Sequence, residues 1–203
     1  MAMSTITSTP ATMPSPFGSP PVHRITVDEY ERIIRAGALE YPGKVELIDG
    51  YLVDKMGKNP EHSYSATSAH ELLSDRLPAG WSARKEEPVR IPDYDEPEPD
   101  VSVVRGARAD YRHRIPEAAD VALLAEVSDS TLGQDRSKKL SAYARAGIPV
   151  YWIVNLVDRQ VEVYSGPAAG SYPSPTIYVK GQQIPVTIGG RQLQPIAVDD
   201  ILP

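Results

Sequence analysis

The sequence predicts an α/β domain in which a mixed β-sheet is flanked by helices, with additional strands towards the C-terminus. Three short apolar segments, residues 101–104, 121–127 and 150–156, are typical of buried strands. A helical pattern over residues 134–146 separates the second segment from the third. This order predicts a right-handed β-α-β crossover, so at least two strands of the sheet should be parallel.

The N-terminal elements follow from short local signals. Thr26 and Glu29 have the spacing of a capping box, which predicts that a helix begins there. Asp49 and Gly50 form a two-residue turn signal between two apolar runs, which predicts a β-hairpin. A second helix is expected over residues 60–77, because an asparagine followed by a proline marks its start.

The remaining elements are shorter. Residues 81–91 indicate two short strands, and the acidic residues 93–99, which include two prolines, predict a loop. Further strands are expected at residues 161–164 and around Ile177 and Val186. These would extend the sheet beyond the crossover.

Residues 1–22 are predicted to form a disordered tail and residues 23–203 a single domain. The first segment is rich in Ser, Thr and Pro and lacks apolar periodicity, so it cannot bury enough surface to offset its ordering entropy. The remaining length is one that a single hydrophobic core can support.

Composition excludes several classes of function. The chain has no cysteine, which rules out disulfides, thiolate metal sites and cysteine nucleophiles and favours a cytoplasmic location. It has no apolar run long enough to span a membrane and no secretory signal pattern. The net charge of −6 argues against tight non-specific DNA binding. A nucleic-acid partner would therefore require a local basic groove or bound cations.

Asp100 and Glu126 are the strongest candidates for a functional site. Each lies at one end of a buried-type strand, where carboxylates are rare unless they are paired or bind a cation. Two carboxylates that converge at a sheet edge would make an oxygen site suited to Mg²⁺ or Mn²⁺. The alternative is that Asp100 caps a turn after Pro99 and that Glu126 pairs with a lysine or arginine.

Asp135, Lys139 and Tyr143 follow one another at intervals of four residues, which places them on one helical face. They could be an exposed Asp–Lys pair beside a core tyrosine. Alternatively, Lys139 projects towards the two carboxylates, where an ammonium could orient or deprotonate a water molecule. The adjacent Lys138 points about 100° away, so only one of the two lysines can face such a site.

Two further residues remain open. Glu46 points to the opposite face of its strand from Val45 and Leu47, so it lies either on a solvated face or in the site. His62, near a helix start, is more typical of a surface or hydrogen-bonded residue. A Ser-His-Asp triad is not indicated, because Ser128 has no histidine nearby in the sequence.

Together these residues resemble the Uma-type putative restriction endonucleases, a bacterial family of the PD-(D/E)xK nuclease superfamily. The resemblance covers about residues 24–203. It depends on VELIDG at 45–50, PDV at 99–101, AEVS at 125–128, DRSKK at 135–139 through Tyr143, and AGIPVYWIV at 146–154. The last two motifs are the most specific.

The resemblance implies a restriction-endonuclease-like fold and metal-dependent hydrolysis of phosphodiester bonds in DNA. The superfamily signature requires Pro-Asp and then an acid, any residue and a lysine. Asp100 and Glu126 match it, but Ser128 occupies the lysine position, which implies that Lys139 supplies the missing ammonium.

The resemblance also implies a ligand set. Asp100, Glu126 and the carbonyl of Val127 would hold Mg²⁺ (or Mn²⁺), and Glu46 would assist directly or through a water molecule. Two alternatives remain, a catalytically inactive binding or interaction module with the same fold and a hydrolase of other phosphate esters. A homodimer is expected, because residues 151–152 and the C-terminal strands offer much apolar surface.

Overall fold

The structure is a computed structural model that describes residues 22–203. The predicted tail over residues 1–22 lies outside the described residues except for Val22. The helices are α1 (Val27–Arg35), α2 (Pro60–Ser74), α3 (Leu132–Gln134), α4 (Leu140–Arg145) and α5 (Val198–Ile201). The strands are β1 (Val45–Ile48), β2 (Tyr51–Asp54), β3 (Trp81–Lys85), β4 (Val101–Arg105), β5 (Val121–Ser128), β6 (Val150–Asn155), β7 (Gln160–Ser165), β8 (Thr176–Val179), β9 (Gln183–Ile184), β10 (Thr187–Ile188), β11 (Arg191–Gln192) and β12 (Ile196–Ala197).

A six-stranded mixed sheet organises the domain, with strand order β3-β4-β5-β6-β7-β8. Strands β5 and β6 are parallel, and every other neighbouring pair is antiparallel. The helical segment between β5 and β6 provides the crossover that parallel pairing requires. The predicted α/β class, with a mixed sheet flanked by helices, is confirmed.

Apolar clusters cover both faces of this sheet. One cluster packs α2, α5 and the short C-terminal strands against it and includes Leu73, Trp152 and Ile201. The other packs α4 against the opposite face and includes Tyr143 and Tyr151. The strongly apolar strands β5 and β6 are buried because both faces of the sheet are covered.

The crossover helix contains a π-helical turn over Asp135–Lys139, between α3 and α4. The backbone N–H of Leu140 donates to the carbonyl of Asp135, five residues earlier, where an α-helix would bond four residues earlier. The sequence predicted one continuous α-helix here. The side chains of Asp135 and Lys139 are both buried, which excludes the alternative of an exposed pair.

The β1–β2 hairpin packs beside the main sheet. Asp49 and Gly50 both have positive φ (53° and 78°), as the predicted two-residue turn requires. The hairpin contacts residues 95–96 through the Leu47–Glu96 backbone pair. In addition, the backbone N–H of Asp49 donates to Asp95 Oδ1 at 2.7 Å. Its inner face is therefore covered, and Glu46 is buried with a relative exposure of 6%.

Three predicted boundaries differ from the structure. Residues 81–91 contain one strand, β3, because the chain turns at Glu86 (φ 53°) and then runs as an irregular segment. Helix α2 ends at Ser74, with Asp75 as its C-cap, and so is shorter than predicted. Val186 lies between β9 and β10, whereas Ile177 lies within β8 as expected.

Glu96 gives the fold a pH-dependent stability. It is 6% exposed, and its Oε2 atom has no hydrogen-bond partner among residues 22–203. Burial, assisted by the nearby charges of Glu31 and Glu98, raises the pKa of Glu96 to about 7. Because the folded chain holds this proton more tightly than the unfolded chain, stability falls as pH rises from about 4.5 to about 7.

We expect Glu96→Gln to lose that part of the pH dependence, on the order of 2 to 3 kcal/mol. Urea denaturation at pH 5 and pH 8 measures it. The difference between the two unfolding free energies should be smaller in Glu96→Gln than in wild type. The exposed Glu40 provides a control, since Glu40→Gln should leave the difference unchanged. An unchanged pH dependence in Glu96→Gln would contradict the assignment.

Candidate functional site

Asp100 and Glu126 lie side by side at one end of β4 and β5. The antiparallel register pairs Val101 with Ala125, so the preceding Asp100 and the following Glu126 are neighbours across the two strands. Both are buried, with relative exposures of 5% and 4%. Both line a cavity of about 580 Å³, which we call the carboxylate cavity. Glu46, Asp135 and Lys139 line it as well.

Asp100 is surrounded by hydrogen-bond donors. Its Oδ2 accepts from the backbone N–H of Val127 at 2.8 Å and lies 3.3 Å from His62 Nε2. Its Oδ1 accepts from Lys58 Nζ at 3.1 Å. Burial alone would raise the pKa of Asp100, but His62, Val127 and Lys58 outweigh it, so the pKa is lowered. Asp100 is therefore an anion in this site.

Glu126 has a different environment. Its Oε1 accepts from Lys139 Nζ at 3.0 Å and from the hydroxyl of Tyr143 at 2.8 Å. Burial is the largest influence and, together with the charges of Asp135, Asp100 and Glu46, raises the pKa of Glu126 to about 8. The ammonium of Lys139 opposes this rise without cancelling it. An additional cation beside Glu126 would therefore be favourable.

Lys139 joins the hairpin to the sheet. Its Nζ lies 3.1 Å from Glu46 Oε1 and 3.0 Å from Glu126 Oε1, and Glu46 Oε2 accepts from the backbone N–H of Glu98 at 3.0 Å. Burial lowers the pKa of Lys139, but the surrounding carboxylates outweigh burial and raise it above its ordinary value. Lys139 therefore remains an ammonium. In this state it can orient a water molecule, which is one of the two roles that the sequence left open.

Asp135 and Ser128 hold the crossover helix against β5. Asp135 Oδ2 accepts from the hydroxyls of Ser128 at 2.8 Å and Thr131 at 2.7 Å. Ser128 stands where the superfamily signature has lysine, and its hydroxyl anchors the helix that carries Lys139. The ammonium of Lys139 contacts Glu46 and Glu126, so the expected exposed Asp135–Lys139 pair is not what the structure contains.

The two adjacent lysines point in different directions. Lys139 is 6% exposed and faces the carboxylate cavity. Lys138 is exposed, and its Nζ lies 3.5 Å from Asp49 Oδ2 on the hairpin. Both residues belong to the π-helical turn, but only Lys139 enters the space between β1 and β5.

Sequence reasoning missed Lys58 altogether and gave His62 little weight. Asn59 caps α2 by accepting from the backbone N–H of His62 at 2.8 Å, which fixes the start of the helix beside Asp100. The asparagine–proline pair predicted where this helix begins. No local signal indicates that its first turn lies beside Asp100, at the start of β4. Lys58 also contacts Glu86 Oε1 at 3.0 Å.

The carboxylate cavity contains oxygen donors of the kind that a hard divalent cation prefers. Four buried carboxylates, those of Glu46, Asp100, Glu126 and Asp135, face one buried ammonium and the partly exposed Lys58. Within residues 22–203, no group of three or more acidic or histidine side chains is arranged to hold a metal ion. Mg²⁺ suits such a site, because it is commonly held by one or two carboxylates and keeps several waters.

Comparisons with known proteins agree with the fold and the motifs. A family model described as Uma2, putative restriction endonuclease, matches residues 27–198. The structure is similar to the crystal structure of a putative nuclease belonging to DUF820 from Anabaena variabilis ATCC 29413, with a TM-score of 0.65 and 17% identity. That match covers 87% of this chain and 97% of the other. A search of curated proteins gave no match. No helix within residues 22–203 is long and apolar enough to cross a membrane.

Proposed function

The chain belongs to the Uma2 family of putative restriction endonucleases, and on this premise we propose that it hydrolyses phosphodiester bonds in DNA with a divalent metal ion. One observation carries the proposal. A buried ammonium, that of Lys139, is held between Glu46 and Glu126 in the cavity that Asp100 also lines. A nuclease centre needs both a cation-binding carboxylate pair and a fixed positive charge near the reacting phosphate.

Asp100, Glu126 and the carbonyl of Val127 would hold Mg²⁺ or Mn²⁺. In an extended strand the N–H and C=O groups of one residue point to the same side. The N–H of Val127 donates to Asp100, so its carbonyl is also directed towards that side of β5. When bound, the ion would polarise the phosphate and lower the pKa of a water molecule.

The protein's own side chains would orient the attacking water and stabilise the negative charge that develops on the phosphate. The Lys139 ammonium would position the attacking water and offset the negative charge that develops on the phosphate. Glu46 holds that ammonium in place, and Tyr143 orients Glu126 through its hydroxyl. His62 and Lys58 keep Asp100 ionised.

A DNA cleavage assay with Mg²⁺, with Mn²⁺ and with EDTA tests the proposal. Cleavage that needs a divalent ion and disappears in Asp100→Asn would support it. The competing possibility is a catalytically inactive binding or interaction module, which the acidic composition and the serine at position 128 favour. Metal binding without cleavage of DNA, RNA or small phosphate esters would favour the module.

We also propose a homodimer, although the first reason for expecting one is wrong. Tyr151 and Trp152 are fully buried in the core of one chain. The remaining support is the edge strand β8, whose Ile177 and Val179 are exposed. Light scattering at micromolar concentration should give about twice the mass of 22.2 kDa, and a monomer mass would contradict the proposal. A cytoplasmic location stays a prediction from the absence of cysteine.

A further inference from the structure

A basic segment lies at the end of β4 that is remote from the carboxylate cavity. Residues 105–114 contain four arginines, one histidine and a single aspartate, in a chain whose net charge is −6. Arg108 and Arg112 are exposed, and neither forms an ion pair with a carboxylate of residues 22–203. Residues 1–21 contain no Asp or Glu that could neutralise them.

These side chains border a groove. Its volume is about 600 Å³, and its lining consists of Arg84, Glu87, Arg108, Ala109, Tyr111 and Arg112. The ring of Tyr111 supports two guanidinium groups, with Arg84 Cζ 5.5 Å and Arg114 Cζ 4.7 Å from its centroid. Arg84 is ion-paired with Glu87 and Arg114 with Asp120, so the guanidinium groups at this surface that lack a carboxylate partner among the residues that the structure describes are those of Arg108 and Arg112. We call this surface the arginine groove.

The backbone of the arginine groove is fixed without a ligand. The hydroxyl of Tyr111 donates to the carbonyl of Arg105, and Ser82 Oγ donates to the carbonyl of Gly106 at 2.9 Å. Asp110 Oδ2 accepts from the N–H of Ala107 at 2.8 Å. Gly106 has φ 92°, and a Cβ there would lie 2.5 Å from Asp110 Oδ2, so this tight turn depends on glycine. A ligand would therefore bind without the cost of ordering the loop.

The arginine groove and the carboxylate cavity share one side of the sheet. Arg84 is paired with Ser102, and Asp100 lies two residues before Ser102, so the three side chains leave the sheet on the same face. Arg105, where the basic segment begins, lies five positions after Asp100 along β4, which corresponds to roughly 17 Å of extended strand.

We propose that the arginine groove binds the phosphodiester backbone of the duplex DNA whose scissile bond lies at the carboxylate cavity. This inference rests on the proposed nuclease function. Arg108 and Arg112 would each contact a phosphate, since a guanidinium matches the geometry of phosphate oxygens. The groove supplies the local positive charge that an acidic protein needs in order to hold DNA. DNA is favoured over an acidic polypeptide because the groove lies on the same face of the sheet as the carboxylate cavity, where the scissile phosphate would bind.

The double variant Arg108→Ala/Arg112→Ala tests this inference. Both side chains are exposed, so their removal should leave thermal unfolding unchanged. The matched control is Arg32→Ala/Arg191→Ala, which removes the same charge from exposed positions elsewhere. Fluorescence anisotropy measures binding to a labelled 30-base-pair duplex in EDTA, over a range of salt concentrations. A poly-glutamate of equal charge serves as the competing polyanion.

We expect the groove variant to bind DNA at least about tenfold more weakly and its salt slope to fall by about two, one for each lost phosphate contact. The control should keep the wild-type slope. Equal slopes in the two double variants, or no DNA binding by wild type, would overturn the inference. Poly-glutamate binding that is equally tight and equally sensitive to the groove variant would assign the groove to an acidic polypeptide and also overturn it.

These measurements distinguish a failure of the proposed nuclease activity from a failure of the proposed DNA binding by the groove. Groove-dependent DNA binding by a wild-type protein that cleaves no DNA with Mg²⁺ or Mn²⁺ would support the groove and refute the nuclease. Metal-dependent cleavage together with unaltered binding by the groove variant would refute the groove alone.

Discussion

Replacing Lys139 by methionine is expected to slow DNA cleavage by about a hundredfold or more, because it removes a fixed charge that stabilises the transition state. Methionine keeps much of the length of the side chain and fills the same space. Single-turnover cleavage at saturating Mg²⁺ measures the chemical step. Lys138→Met is the matched control on the same helical turn, and its exposed side chain makes a much smaller loss expected. Equal losses in the two variants would show that the assignment is wrong.

The same substitution should also affect stability. Sequence alone suggested an exposed pair whose loss would hardly alter folding, but Lys139 is buried between Glu46 and Glu126. Removing one partner of a buried ion pair typically costs about 3–5 kcal/mol. Glu126, whose pKa is already raised, can take up a proton instead, so the loss of stability should be smaller at pH 5 than at pH 8. Cleavage must therefore be compared at a temperature at which both variants are folded.

Replacing Asp100 by asparagine is expected to abolish metal-dependent cleavage and to weaken binding of Mn²⁺ by at least roughly a hundredfold. Even the loss of an outer partner of a metal ligand commonly costs ten- to a hundredfold. Isothermal titration calorimetry with Mn²⁺ gives the affinity independently of activity. The control is Asp129→Asn, an exposed carboxylate at the edge of the same cavity, which should bind Mn²⁺ almost as wild type does. Normal affinity in Asp100→Asn would remove Asp100 from the proposed ligand set.

The fold could be predicted well from local patterns. The apolar runs at β4, β5 and β6 identified buried strands. A strand whose sheet is covered on both faces has almost no positions that suit polar side chains. The turn at Asp49 and Gly50 located the first hairpin because few sequences tolerate positive φ at two successive residues. The prediction of a second strand over residues 81–91 was wrong, because a strand pattern in the sequence does not reveal where a strand stops pairing with its neighbour.

The site could be predicted only in part. Asp100 and Glu126 are visible in the sequence because carboxylates are out of place beside buried strands. Glu46 stayed open, because whether the inner face of the hairpin meets solvent depends on contacts with residues 95–96 that no local pattern encodes. Lys58 was missed and His62 was given too little weight for the same reason, since both reach Asp100 from a helix start distant in sequence.

The π-helical turn at Asp135–Lys139 has a consequence for how related chains should be aligned. One extra residue in an ordinary α-helix would rotate everything after it by about 100°. A single wide turn absorbs such a residue locally, so the segments before and after it can keep their packing. An insertion or deletion of one residue here would therefore move Lys139 while sparing the core. Alignments that allow no gap within this turn would then equate lysines that occupy different places in space.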